Sequence, residues 1–266
     1  MLGKLMKYEF KATWKLLVPM DIFLIIMSIL AYLTVRFSFS SSDNELVEMT
    51  EVMVLVTYML SMFVIIIVTM IYLIYRFYVS VYGDEGYLLH TLPVDKHHII
   101  IAKVLTSVIW IIANNLLIYL SIVFLFTSSG EAMEGLREGL EYYVDFINRY
   151  TKISAFSVFM TFVAAFVSVI SRILKVTACI SLGQLSSNHK VLVSFAFYYG
   201  IYVVQRMFSM IYYVIFSFAN RASDDGAFMT SMFGVGWEFS LISGLIYSVI
   251  FYFLTWYIMD KKLNLD

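Results

Sequence analysis

Six long apolar runs, at residues 16–35, 52–75, 99–126, 153–173, 191–218 and 239–259, recur from one end of this chain to the other. A helix needs about 20 mostly apolar residues to cross the hydrocarbon core of a bilayer, and each run meets that length. Nothing inside that core can hydrogen-bond an exposed backbone, so uninterrupted runs of this kind select helices. The chain reads as an all-α polytopic membrane protein, one membrane domain over residues 1–266. Composition agrees: 61% of the residues are hydrophobic and 14% charged, where an ordinary soluble domain carries about 25% charged residues. The first run follows basic residues as a signal peptide would, but it is too long for one and lacks an A-x-A cleavage site, so it is read as a retained span.

Lys and Arg in the short connections set the orientation. With both termini inside, the inner side receives Lys4, Lys7, Lys11, Lys15, Arg76, Lys96, Lys103, Arg172, Lys175, Lys190, Lys261 and Lys262. The outer side receives Arg36, Arg137, Arg149, Lys152 and Arg221. Twelve against five predicts a multi-pass protein of the plasma membrane with both termini cytoplasmic, Arg206 being left within the membrane.

Several kinds of chemistry are excluded. A formal net charge of -1 offers no clustered basic surface for nucleic acid. The single cysteine, Cys179, rules out an intrachain disulfide, and no paired Cys/His spacing marks a structural metal. His90, His97, His98 and His189 all map to the inner side, but adjacent His97 and His98 point to different helix faces, so no metal site is expected. There is no G-x-x-x-x-G-K-[ST], G-x-S-x-G or H-E-x-x-H, and "GVG" at 234–236 is no dinucleotide fingerprint. The chain is expected to bind no cofactor and to catalyse nothing alone.

Three segments are amphipathic. In "MLGKLMKYEFKATWK", Lys4, Lys7, Lys11 and Lys15 form one helical stripe, with Leu2, Met6, Phe10 and Leu17 roughly opposite. Such a helix is expected to lie at the membrane surface as an elbow over residues 1–15, with Pro19 opening the next span. Glu9 falls toward its apolar side and needs a partner. The second segment is "YGDEGYLLHTLPVDKHH". Gly83 ends the preceding helix, Asp84 caps a short helix over 84–93, Pro93 stops it, and Asp95 caps the third span. Tyr87, Leu88, Leu92 and Val94 give it apolar surface, as at a docking site, although packing on the membrane surface would also account for it. The third is a helix over 131–149 in which Glu131, Glu134, Glu138, Glu141 and Asp145 line one face, with Leu136, Leu140, Tyr143 and Ile147 opposite. Like charges at these spacings oppose the helix, so packing of the apolar stripe must compensate. The acidic face reads as a solvated surface or as an electrostatic lure for a cationic substrate at the outer mouth.

Polar groups inside the spans are the remaining candidates. A buried arginine costs about 2.5–3.5 kcal/mol on insertion scales and faces a partner or a watery cavity. Arg206, with Gln205 and Tyr202 beside it, therefore either lines a substrate route or fixes helix packing. Asn114 and Asn115 supply hydrogen bonds to a route or between helices. Asp21, near the inner end of the first span, is expected to stay hydrated.

The basic start "LGKLMKYEFKAT", the segment "DEGYLLHTLPVDKHHIIIAK" between spans two and three, and "ISLGQLSSNHK" between spans four and five resemble a permease subunit of type 2 ATP-binding-cassette exporters of Gram-positive bacteria. The resemblance covers essentially the whole chain. It implies that residues 84–93 are a coupling helix, with Asp84, Glu85, Tyr87, Leu88, Leu89 and Leu92 seated in a groove of a separate ATPase subunit that holds ATP and Mg. It implies further a second permease copy or paralogue, membrane lipids around both, and substrates among antimicrobial peptides, lipids and other amphiphiles. An autonomous carrier driven by an ion gradient, and a membrane scaffold without transport, are the alternatives.

Overall fold

A computed structural model of the chain describes residues 2–38, 45–83, 85–86, 94–150, 155–186, 189–219 and 236–261, and all seven long elements among them are α-helices. They are α1 (Leu2–Ser38), α2 (Glu45–Tyr82), α3 (Lys96–Phe126), α4 (Gly130–Tyr150), α5 (Ala155–Gly183), α6 (Lys190–Ala219) and α7 (Gly236–Lys261). Six of these, all but α4, are long and apolar enough to cross a membrane, so the chain is an all-α, multi-pass membrane protein.

The helices outrun the apolar runs that seed them. Span four was expected to end at residue 173, yet α5 continues to Gly183, because Leu174, Ala178, Cys179 and Ile180 carry the buried face onward past Lys175. The larger departure is at the N-terminus. No separate elbow precedes the first span: α1 runs unbroken through Pro19 for 37 residues, about 55 Å. Pro19 is exposed, and the carbonyl it leaves without an intrahelical donor belongs to the equally exposed Lys15 one turn earlier, on the outward face. The break therefore costs the packed face nothing. The apolar stripe of the first turns packs on the protein and not on lipid. Phe10 lies against Leu17, Leu73 and Trp110, while Lys4, Lys7, Lys11 and Lys15 are exposed as expected.

The chain forms two compact units. One comprises Met1–Arg76 and Leu105–Tyr142, the other Phe77–Val104 and Tyr143–Asp266. In the first, α1, α2 and α3 pack around two apolar layers. Leu17, Leu73 and Trp110 make one; Leu24, Ala31, Tyr58 and Ile65, flanked by Leu117 and Ile118, make the other. Neutral hydrogen bonds tie the helices together: Trp110 Nε1 donates to Thr13 Oγ1 at 2.8 Å, Tyr72 Oη to the Ala12 carbonyl at 3.1 Å, and the hydroxyls of Tyr58 and Ser121 meet at 2.9 Å. Glu9 finds its partner in Arg76, 3.7 Å away.

In the second unit α5 is the central helix, packed on both α6 and α7. Ser168 on α5 and Ser240 on α7 share a hydrogen bond of 3.0 Å. At the turn from α5 to α6 a Cβ on Gly183 would collide with the Ser194 side chain and the Lys190 carbonyl, so that close return requires glycine. His189 supports it in the left-handed region (φ 57°), accepting from Val193 N–H at 3.0 Å.

Candidate functional site

The polar segment between α2 and α3 is gripped at both shoulders. On the α2 side Gly83 closes the helix onto the carbonyls of Tyr78 and Val79, and Gly86 N–H donates to the Gly83 carbonyl at 2.8 Å. A Cβ on Gly86 would strike the Val81 carbonyl, so the reversal depends on glycine there. One residue earlier, Tyr82 Oη donates to Ser181 Oγ on α5 at 2.6 Å, and Lys103 of α3 donates to Ser80. On the α3 side Asp95 stands just before the helix, and its backbone carbonyl accepts His98 N–H at 2.9 Å. Lys96 Nζ reaches Asp260 Oδ1 at 3.1 Å. His97 meets Tyr252 Oη at 2.6 Å and stacks on Trp256, ring centroids 5.1 Å apart and 14° from parallel. Both partners lie on α7. Of the histidines from which no metal site was expected, His97 thus docks α3 on α7. Glu85 is exposed; Asp84, Tyr87, Leu88, Leu89 and Leu92 lie outside the described residues.

Six residues before Ser181 on the same helix sits Lys175, 6% exposed. Its Nζ donates to Gln205 Oε1 on α6 at 3.1 Å and lies 4.9 Å from the ring centre of Tyr198 and 5.7 Å from that of Tyr202. Tyr202 also carries Arg206, whose Nε donates to its hydroxyl at 3.1 Å and whose guanidinium carbon lies 5.2 Å from the ring centre. Arg206 is therefore not buried, as expected from its place in the run, but exposed on α6. The buried cation in this cluster is Lys175, with Arg206 and Arg172 both near enough to act on it electrostatically. Arg172 is itself exposed and donates to the Ser168 carbonyl one turn before it, at 3.3 Å. Among the described residues no carboxylate pairs with any of the three.

Of the expected pathway residues, Arg206, Gln205 and Tyr202 come together around Lys175, while Asn114 and Asn115 belong to the other unit. Asn114 is buried and donates to Thr69 Oγ1 on α2 at 2.7 Å. Asn115, one position round the helix, is exposed and bonds only to the Ile111 carbonyl of its own helix. Asp21, Thr69 and Asn114 each stand one turn from the Leu17–Leu73–Trp110 layer and one turn from Leu24, Ile65 and Ile118 respectively, so they share a polar layer between the two apolar ones. In that layer Asp21 Oδ1 and Asn114 Oδ1 are buried without a hydrogen-bond partner. Asp21 itself stays half-exposed, as the expected hydration requires, so the burial concerns that one oxygen.

The acidic helix exists, as α4, but its packing does not follow expectation. Glu134, Glu138, Glu141 and Asp145 are exposed, with Glu141 paired to Arg137 at 2.9 Å. Leu140 and Tyr143 on the opposite stripe are also more than half exposed, Leu136 is half-buried and the Ile147 side chain lies outside the described residues, so the described part of the stripe is packed only at Leu136. The Glu131 side chain lies outside the described residues. No family model matches the chain, and no curated protein and no solved structure is significantly similar to it.

The residues missed were Lys175 and Lys103, both assigned to connections. The signal was present: "ILKVTACISLG" keeps its apolar and small residues on one helical face past the lysine, as a buried helix would and a polar loop would not.

Proposed function

We propose that this chain is the transmembrane permease subunit of an ATP-binding-cassette exporter, moving an amphiphile with energy from a separate ATPase that docks on residues 84–93. The observation that carries this reading is the double grip on that segment. Its α2 shoulder is bonded to α5 through Tyr82 and Ser181, and its α3 shoulder to α7 through Lys96 and His97. A push delivered between the shoulders would reach α5 and α7 directly, and α5 carries Lys175 less than two turns from Ser181. In this reading the shoulders are cytoplasmic, ATP and Mg stay on the partner, and a second permease copy or paralogue completes the assembly.

The test is to extract the protein gently from its native membrane and identify what copurifies. A stoichiometric soluble ATPase, lost in Leu88→Glu while the permease remains inserted, is the expected result. A preparation free of ATPase, under conditions that preserve a known complex of this type, would overturn it.

One observation favours a second reading, the autonomous carrier. Asp21 Oδ1 and Asn114 Oδ1 are two buried oxygens without a donor, the arrangement a transported proton or monovalent cation would complete. That reading requires gradient-driven transport in vesicles lacking any ATPase, abolished by Asp21→Asn.

A further inference from the structure

The cations around α5 and α6 are arranged as a site and not as a structural ion pair. Lys175 has three N–H donors, of which Gln205 Oε1 takes one, and the rings of Tyr198 and Tyr202 stabilise positive charge at its back. Arg206 is held in place by the Tyr202 hydroxyl and Arg172 by the Ser168 carbonyl. Each uses its Nε in that bond and leaves the two terminal nitrogens of an exposed guanidinium for a ligand. Three like charges brought together in a low-dielectric setting repel one another unless an anion lies among them.

Depth and exposure indicate the kind of anion. α5 has 29 residues, about 44 Å, against a hydrocarbon core of about 30 Å, and Lys175 stands about 12 Å along the helix from Gly183. A centred α5 places the Lys175 backbone about 5 Å inside the edge of the hydrocarbon, from where the side chain can reach toward the level of lipid phosphates. The Lys175–Gln205 bond then sets α6, with Arg206 at its middle, off-centre toward the same surface. The helix bearing Arg206 buries none of its apolar stretch, leaving that side open to lipid.

We infer that Lys175, Arg172 and Arg206 bind the phosphate of an amphiphile, with Lys175 as the floor and the two guanidiniums as forked walls. This rests on the permease reading only in making that amphiphile the cargo. It also runs against the cationic substrate that one of the two readings of the acidic face of α4 allows.

The experiment uses the purified full-length chain without ATPase, reconstituted in equal parts phosphatidylglycerol and phosphatidylcholine, and weighs the lipids it retains by native mass spectrometry. We expect phosphatidylglycerol to be retained in preference, and the preference to fall about tenfold in Lys175→Met and in Arg206→Gln, with thermal unfolding confirming that both variants are folded. Added inorganic phosphate separates two sources of the same chemistry. If it leaves the lipid in place, the ligand is a lipid headgroup; if it displaces the lipid and itself adds mass, the site takes a free phosphate ester. Equal retention of both lipids with no bound phosphate, or an undiminished preference in both variants, would overturn the site. Because no ATPase is present, such a failure leaves the permease reading standing, whereas intact lipid selection in a chain that never copurifies an ATPase would remove the permease reading alone.

Discussion

The α1–α3 unit and the α5–α7 unit bury polar groups in contrasting ways. In the first, the cross-helix contacts are mostly neutral pairs or a matched ion pair, a phenol with a hydroxyl, an indole with a hydroxyl, an amide with a hydroxyl, and Glu9 with Arg76, with Asp21 Oδ1 and Asn114 Oδ1 as the exceptions. In the second, a lysine lies 94% out of reach of solvent with a neutral amide and aromatic faces for company, beside two more cations. Neutral pairs cost little to bury and hold helices in register, as a scaffold requires. An uncompensated cation is expensive to bury and adds nothing to packing that an apolar side chain of similar volume would not supply, so its retention points to a task. The unit that holds it is also the unit that grips the α2–α3 segment.

Substitutions in the two units should therefore fail in different currencies. Tyr58→Ala, which empties a fully buried site in the first unit, should lower stability by about 3 kcal/mol or more in a detergent unfolding titration while leaving phosphatidylglycerol selection per folded molecule unchanged. A change in selection there would break the contrast. Lys175→Met should do the reverse, removing selection with stability held within about 1 kcal/mol or raised. Tyr82→Phe deletes the bond to Ser181 and should cost about 1 kcal/mol, and on the proposed permease function ATP-driven transport should fall by a larger factor than unfolding explains. Equal loss in both would make the contact merely structural. Asn114→Leu should shift stability by only about 0.6 kcal/mol, the average for hydrogen bonds between membrane helices, and Asn115→Leu, on the exposed side of α3, by less still.

Much of this was legible in advance. The six spans follow from run length, the acidic helix from its period, and the punctuation Gly83, Pro93 and Asp95 marked the α2–α3 segment before any coordinates. Three misreadings share a physical origin, since a local rule was applied where tertiary packing decides. Pro19 reads as a helix start, but a proline on the outward face of a packed helix disturbs nothing that faces the core. Lys175 reads as a loop charge because an apolar run is conventionally ended at a basic residue, and Lys103, inside the third run, counts with the connections for its charge alone, although an aliphatic stem with a hydroxyl or amide at its tip can enter the bundle. Arg206 reads as buried because it is central in its span, yet centrality along a helix says nothing about which way a residue faces. The partner of Glu9 was beyond sequence reasoning altogether, being 67 residues away.

Cys179, buried one turn beyond Lys175 and alone of its kind in the chain, has a practical consequence. It is a native stopwatch for α5. A membrane-permeant alkylating reagent can react with that thiol only while the helix is displaced from its neighbours, so the labelling half-time counts openings without any engineered probe. With the chain acting as the proposed permease, comparing half-times with and without nucleotide in the complex with its ATPase would time the working stroke at a helix that touches both the α2 shoulder and the cation cluster.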